Sequence, residues 1–343
     1  MKIDFPSIRD DLLNDEYHGT KAIGNSGLKK LLHNPAQYRY EQENPPSPTR
    51  AMQIGTWTHS AVLEPDLFKD TYYKMPEGDK RKKEYKEQAA ESALKHPGKE
   101  GIDATLWDQF MGMRDSVYKH LKAAELLSYV GWTERSYFWM DEGKVPCKCR
   151  PDRQVANQFV VDLKTCEDAS PQGFAKASAN WGYHIQQAFY MRGLEAAGAP
   201  VKEFIFVAVE KAKPYTVGVY TLDASALAHG RAKVQDGLDI FQECIETCTW
   251  PGYSDDMLEL SLPGWCVPRD KPAGNEIRAL NSVRIDPTTD LSLDDAAMMA
   301  GVSRNTIYNW CNKGLESRPR NPNAKRSPKI IKVADLETYI SNG

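Results

Sequence analysis

A mixed α/β fold, with a central sheet flanked by helices and a small second unit behind it, is what this sequence predicts. Three observations carry the expectation. Residues 132–222 hold several short apolar or alternating runs of strand character, interrupted by one long helical stretch. Helical spacing of apolar residues flanks them on both sides. Finally, 343 residues are too many for one ordinary core, and a stretch rich in Pro, Gly and Asp at 250–290 separates a last helical segment from the rest.

The chain opens helically. Asn25 or Ser26 caps a short helix through Leu28, Leu31 and Leu32, which Pro35 is expected to stop. A second helix runs over 51–63, with His59 in its second half. The charged segment 76–101 reads as a loop or a solvated helix, and its basic run 80–83 suits a solvated surface as well as a nucleic-acid contact. Leu106, Phe110, Met113, Val117, Leu121 and Leu127 then return at helical spacing, predicting one helix over 104–127. Three successive strands follow at 132–140, 145–155 and 159–163. A long helix over 171–197 ends at Gly198 and Pro200. Strands at 204–209 and 215–222 and a helix over 223–248 complete a first domain, expected to span 1–250.

Composition is that of a globular protein, 41% hydrophobic and 27% charged, with a net charge of −3. No apolar run is long enough to span a bilayer and the N-terminus lacks a signal-peptide core, so the expected location is the cytoplasm, with no membrane partner. Seven irregularly spaced cysteines do not suggest a disulfide framework, and Cys147, Cys149, Cys244 and Cys248 match no cluster-binding spacing.

The chemistry concentrates in Arg150-Pro151-Asp152 followed by Val160-Val161-Asp162-Leu163-Lys164. Residues two apart on a strand share a face, so Asp162 and Lys164 project together, and a hairpin would bring Asp152 beside them. Two carboxylates with an adjacent ammonium suit a divalent cation, with Asp152, Asp162 and the Leu163 carbonyl as its ligands. Lys164 would orient water or stabilise a pentacoordinate phosphate, the parts needed to hydrolyse a phosphodiester. The same residues would equally make an ion pair at a hairpin end. Gln186 and Tyr190, four apart, share a helix face and either contact phosphate or form an ordinary polar pair. Glu134, on the first strand, either approaches the cation or lies on the surface.

Taken together, these motifs resemble the PD-(D/E)xK nuclease superfamily, and in particular its RecE-like exodeoxyribonucleases. The resemblance covers about residues 20–250. It rests on Ser26-Gly27-Leu28 with Asn34-Pro35-Ala36-Gln37-Tyr38, Gly55-Thr56-Trp57-Thr58-His59, and Ala61-Val62-Leu63-Glu64-Pro65. It continues in Cys149-Arg150-Pro151-Asp152, Asp162-Leu163-Lys164-Thr165 and His184-Ile185-Gln186-Gln187-Ala188-Phe189-Tyr190. It implies a restriction-endonuclease-like core and places His59 in the metal shell and Gln186 and Tyr190 against the catalytic face. It also implies Mg²⁺ as cofactor (Mn²⁺ substituting) and 5′ to 3′ degradation of duplex DNA from its ends. A single-strand annealing protein would be the partner in phage-type recombination, and homo-oligomers occur among relatives.

Residues 291–343, beyond a linker at 251–290, resemble the small winged helix-turn-helix domains of excisionases and MerR-like regulators. Ser292 to Asp295 would open a helix through Met299, residues 300–302 would turn, and Ser303 would cap a second helix over 304–312. Arg304, Asn305, Thr306, Tyr308 and Asn309 on that helix would contact DNA, with Arg318, Arg320, Lys325 and Arg326 on a basic wing. A strand at 329–333 and a helix at 334–340 would close the unit. Two other functions fit the same residues: a site- or structure-specific endonuclease directed by this domain, and a non-catalytic DNA-binding regulator retaining the nuclease fold.

Overall fold

Strands β8 (Phe159–Cys166) and β9 (Glu203–Glu210) run parallel at the centre of a five-stranded sheet. A parallel pair needs a long crossover, and the helices between them supply it. The computed structural model describes residues 4–10, 12–142, 144–262, 278–279, 290–293, 296–297, 300, 302, 304–319 and 329–341. The chain divides into two compact units, Met1–Tyr253 and Ser254–Gly343.

In the first unit, β1 (Ser7–Arg9) and α1 (Asn14–Gly19) precede α2 (Asn25–His33) and α3 (Pro35–Glu43). Pro35 does not merely stop α2. It occupies the first position of α3, where its missing N–H is no loss, and Asn34 caps that helix by accepting the Gln37 N–H at 3.0 Å. Next come α4 (Arg50–Leu63), α5 (Pro65–Thr71), β2 (Tyr72–Lys74), α6 (Lys83–Lys95) and β3 (Glu100–Ile102). Thus 76–101 contains a solvated helix, and its basic run is locally neutralised: Lys80 pairs with Asp103 and Arg81 with Asp79. The single helix expected over 104–127 is two, α7 (Ala104–Lys119) and α8 (Leu121–Ser128), because His120 leaves the helical conformation and accepts the Ala123 N–H through Nδ1.

The three expected strands belong to two sheets. β4 (Trp132–Thr133) and β5 (Ser136–Asp141) are separated at Glu134, whose φ is +50°. β5 and β6 (Val145–Cys149) join β1 in a three-stranded sheet. β7 (Arg153–Val155) crosses to the main sheet, whose order is β10-β9-β8-β7-β4, with β10 at Val217–Tyr220. Pro151 and its neighbours break what the sequence presents as one run over 145–155.

The long helix expected over 171–197 is also broken, into α9 (Pro171–Trp181) and α10 (Tyr183–Ala196). Gly182 sits between them in the left-handed region at φ +63°, which favours glycine. α11 (Ala224–Thr247) crosses α10 closely: a Cβ at Gly230 would lie 2.2 Å from the His184 carbonyl oxygen. The two faces of β8 point into two cores. Val161 and Leu163 pack with α4 and α7, whereas Val160 and Cys166 pack with the α2, α10 and α11 layer. Asp162 and Lys164, in phase with Val160, therefore face that second layer.

The second unit holds β11 (Leu258–Glu259) paired with β12 (Arg278–Ala279), inside the stretch expected to be linker. A three-stranded sheet follows, β13 (Asp290–Ser292), β15 (Lys329–Lys332) and β14 (Arg318–Pro319) in that order. Helices α12 (Arg304–Cys311) and α13 (Val333–Ser341) pack on it through Ile307, Leu315, Ile331 and Leu336. Ser292 ends β13 and directly precedes Leu293, which with Ala296 and Ala297 is helical. Asp295, Gly301 and Ser303, to which a cap and a turn were assigned, lie outside the described residues. Among the described residues, no helix is long and apolar enough to cross a membrane.

Candidate active site

The site forms where β7 runs out and β8 continues. Arg153 pairs with Val161 in the antiparallel register, which sets Asp152, one step before β7, opposite Asp162. Beyond that point β8 has lost its neighbour on one edge. Its Leu163 N–H donates instead to Asp152 Oδ2 at 2.7 Å. A strand residue directs its N–H and its carbonyl to the same side, so the Leu163 carbonyl faces this opened edge too.

Asp162 is fully buried. Its Oδ2 accepts from Gln186 Nε2 at 2.6 Å, and the Lys164 ammonium contacts its other oxygen. Burial drives the Asp162 carboxyl up to about 6, against the pull of Lys164 and with the push of Asp152. Burial also opposes the charge on Lys164, but Asp162 and Asp152 outweigh it and hold the ammonium above the ordinary lysine value. The Lys164 ammonium lies 5.1 Å from the centre of the Tyr183 ring. The break at Gly182 starts α10 afresh, so that Gln186 faces the sheet. Tyr190, one turn further, makes no hydrogen bond to Asp162 or Lys164 among the described residues. It packs edge-on against Phe204 at 6.1 Å, and burial, with Tyr17 and Asp162 nearby, pushes its hydroxyl well above the usual phenol value.

A second group of side chains that could hold a metal arrives from elsewhere. His59, on α4, places Nδ1 3.3 Å from Asp152 Oδ2. Glu134 turns in from the bend between β4 and β5, its N–H bonded to the Asp152 carbonyl at 3.2 Å. A non-glycine residue at φ +50° costs backbone energy, and the bend aims its carboxyl inward. His59, Glu134 and Asp152 each offer a ligand atom, all within 4.8 Å of one another, and no other such trio occurs among the described residues. Burial, Asp152 and then Glu64 raise the Glu134 carboxyl to about 9. Carboxylate oxygens and one imidazole nitrogen, crowded together with an excess of negative charge, are a fitting donor set for a divalent cation.

Sequence reasoning did not give Glu134 this central place, since nothing local distinguishes it from a surface acid on a strand. Two further groups went unassigned. Glu64 ends α4, and its carboxyl is raised by burial, with Arg150 lowering it. Lys29, on α2, donates to the Trp181 carbonyl at 2.8 Å, and burial reinforced by Lys164 lowers its ammonium to about 8. The cysteines described are all free thiols.

In the second unit, Tyr308 and Asn309 are exposed on α12, Thr306 is half-buried, and Lys329 lies 5.4 Å from the Tyr308 ring. The side chains of Arg304, Asn305 and Arg318, and the whole of Arg320, Lys325 and Arg326, lie outside the described residues.

Comparison with known proteins agrees with the first unit. Residues 24–259 match the family model described as a PDDEXK-like domain of unknown function, DUF3799. A crystal structure from Eubacterium rectale, provisionally named an exonuclease, superposes with a TM-score of 0.53 at 15% identity, over 71% of this chain and 90% of that one. At that identity the likeness speaks for the fold alone. A phage-related exonuclease from Haemophilus somnus 129PT is 12% identical over 66% of this chain and 96% of that one, but its TM-score of 0.29 carries no weight. The search of curated proteins found no significant match.

Proposed function

Because the chain belongs to the PDDEXK-like DUF3799 family, we propose that it is a divalent-metal-dependent deoxyribonuclease acting on duplex DNA. The observation that carries the reading is the meeting of Asp152, Asp162, Lys164, His59 and Glu134 at one opened sheet edge. His59, Glu134 and Asp152, with Asp162 and the Leu163 carbonyl beside them, would hold Mg²⁺, with Mn²⁺ able to replace it. Bound there, the ion would supply the positive charge that neutralises a phosphate and acidifies water.

The chain's own residues do the rest. Asp152, held by the Leu163 N–H, keeps its carboxylate at the edge where a phosphodiester can approach. Lys164 presents an ammonium to the phosphate and to the attacking water, and Asp162 keeps that ammonium charged. Gln186 fixes the orientation of Asp162 through a buried hydrogen bond. A surface ion pair would need none of this burial.

The resemblance to RecE-like enzymes favours attack at DNA ends with 5′ to 3′ polarity, exposing 3′ strands for an annealing protein, and self-association of the kind relatives show. The second unit suggests a rival mode. Its exposed Tyr308 and Asn309 on α12, beside Lys329, suit a winged helix-turn-helix DNA contact, which would direct an endonuclease to chosen sites. One assay separates them: linear and covalently closed circular duplexes, each with Mg²⁺, Mn²⁺ or chelator. Loss of linear DNA alone supports the exonuclease, and cutting of circles the endonuclease. No metal-dependent change in either substrate would leave only a DNA-binding role.

A further inference from the structure

The first turn of α10 carries two side chains that meet the site: Gln186 donates to Asp162, and the ring of Tyr183 lies beside the Lys164 ammonium. That turn begins at Gly182 and so has no side-chain cap to fix it. The Gln186 N–H closes the first main-chain bond of the helix on the Gly182 carbonyl at 3.1 Å, so whatever holds the break between α9 and α10 also holds Gln186. His184 does this from inside the turn. Its Nδ1 meets the Ser178 carbonyl, in the last turn of α9, at 3.3 Å, and only a protonated nitrogen can make that bond.

The surroundings of His184 demand that it stay neutral. It is 9% exposed, and with its proton on Nδ1 the buried Nε2 has no hydrogen-bond partner among the described residues. A proton added there would find no acceptor at bonding distance. The His229 ring of α11 stacks on His184, with centroids 4.9 Å apart and planes 12° apart, and His229 itself is exposed to solvent. Gly230 of the same helix presses on the His184 carbonyl, so the ring cannot retreat without moving α11. The charged groups that face it are His229 from α11 and Lys29 from α2; α9 contributes the Ser178 carbonyl, and no carboxylate is among them. Burial lowers the imidazole below the usual histidine value, the Ser178 carbonyl opposes this, and His229 and Lys29 reinforce it. The positive end of the α10 dipole acts in the same sense as the two cations.

We propose that His184 is a positioning residue of the nuclease: as a neutral imidazole clamped between the end of α9 and His229, it holds Gln186 on Asp162, and it lets go when the imidazole pair takes up protons. The proposal rests on the nuclease reading above and adds to it a response to acid that is separate from the metal-holding side chains. A cation on the His229 ring, together with Lys29, opposes a second proton on His184, and that second proton breaks the stack by like-charge repulsion. The folded chain resists a proton that the unfolded chain accepts near 6.5. The contribution of His184 to stability is therefore present above that value and is lost as pH falls below it.

The test compares the full-length wild type with His184→Ala and His184→Asn. An asparagine amide donates to the Ser178 carbonyl where Nδ1 does but takes up no proton; alanine does neither. With Mg²⁺ and linear duplex at a pH of about 8, His184→Ala is expected to lower kcat at least about tenfold with KM little changed, whereas His184→Asn keeps kcat within about threefold of wild type. Below neutral pH the wild type should lose activity more steeply than His184→Asn, because Asp162 titrates in both proteins and His184 in one. Melting in chelator reads the proton without cleavage: between a pH of about 8 and about 5.5, His184→Asn should gain about 2 °C on wild type. A folded His184→Ala with wild-type kcat, or one altered only in KM, would overturn the positioning role, and so would a His184→Asn as slow as His184→Ala. Parallel losses of activity in acid, or a constant melting difference, would overturn the release by protons, and this comparison holds even where the alanine variant does not fold. If the wild type cleaves nothing with either metal, the nuclease reading and the positioning role fall together, while a melting difference that still grows in acid upholds the proton-linked clamp.

Discussion

Two buried acids of this protein, Asp141 and Asp162, stand in opposite circumstances. Asp141, 7% exposed at the end of β5, is gripped by Arg192 of α10 through two hydrogen bonds of 2.6 Å each. The Trp139 indole adds a third donor at 3.3 Å, and Arg192 also donates to Gln235 on α11 at 2.9 Å. Each oxygen has a strong partner, and the pair ties the small sheet to the helical layer. Asp162 has one ammonium and one amide, and that ammonium serves a neighbourhood that also holds Asp152, Glu134 and Glu64. The first arrangement is complete as it stands. The second is short of positive charge even with Arg150 and Lys29 nearby, a deficit that the proposed cation would make good.

That difference should appear first in what truncation does. Lys164→Ala is expected to reduce Mg²⁺-dependent cleavage by about 10³-fold, near the upper end for removing one charge-stabilising donor, while the protein still melts cooperatively. Arg192→Ala should do the reverse. It strands Asp141 in the interior at a cost of about 3 kcal/mol, lowering Tm on the order of 10 °C, yet the folded fraction should cleave at a near-normal rate. Activity assays at a temperature well below both transitions, beside melting curves, read the two effects apart. If Arg192→Ala loses activity in proportion to Lys164→Ala while remaining folded, the division into a structural and a chemical acid fails.

The pH dependence sharpens the comparison further. Glu134 has its carboxyl raised from 4.5 to about 9 by burial and by Asp152. The unfolded chain therefore releases that proton near 4.5 while the folded chain keeps it, so the unfolded state binds fewer protons across the window. The contribution of Glu134 to the stability of the metal-free protein therefore falls as pH rises from about 4.5 towards 9. A divalent cation displaces the proton, and its stabilising effect should grow over the same range. Melting temperatures measured in chelator and in Mn²⁺ from pH 5 to pH 9 test this; Glu134→Gln should flatten both trends. A metal-free Tm that climbs with pH would place the excess charge elsewhere.

How much of this was legible in the sequence follows from the range over which each feature is determined. Alternation on β8 put Asp162 and Lys164 on one face, and the Pro151 region followed by a short turn brought Asp152 opposite them, all within a dozen residues. The motif resemblance added His59 and Gln186, which reach the site from different layers. Helix breaks at His120 and Gly182 were not legible, because apolar spacing runs through both and only tertiary packing decides where the axis turns. The division of three strands between two sheets was hidden for the same reason. Glu134 owes its role to a strained bend, and Lys29 to a helix end 152 residues away in sequence. Neither carries a local signal.

Lys29 supplies the smallest expected effect and the finest probe of the charge deficit. Its ammonium is anchored on the Trp181 carbonyl and senses the repulsion of Lys164 and the attraction of Asp162, with no ion pair to Asp162 among the described residues. If the acids are short of positive charge until a cation binds, Lys29 partly offsets them in the empty site and competes with the incoming ion. Lys29→Met should then strengthen metal binding, by roughly 1 kcal/mol or about fivefold at an effective dielectric of ~20 to 40. The same change should weaken phosphate binding by a similar factor, so that the metal concentration giving half-maximal cleavage falls while KM for duplex rises. Both shifts should shrink at high salt if the ammonium acts through space. Movement of the two constants in the same direction would instead mean that Lys29 merely props the α9 end, and that the acids lack less charge than the geometry implies.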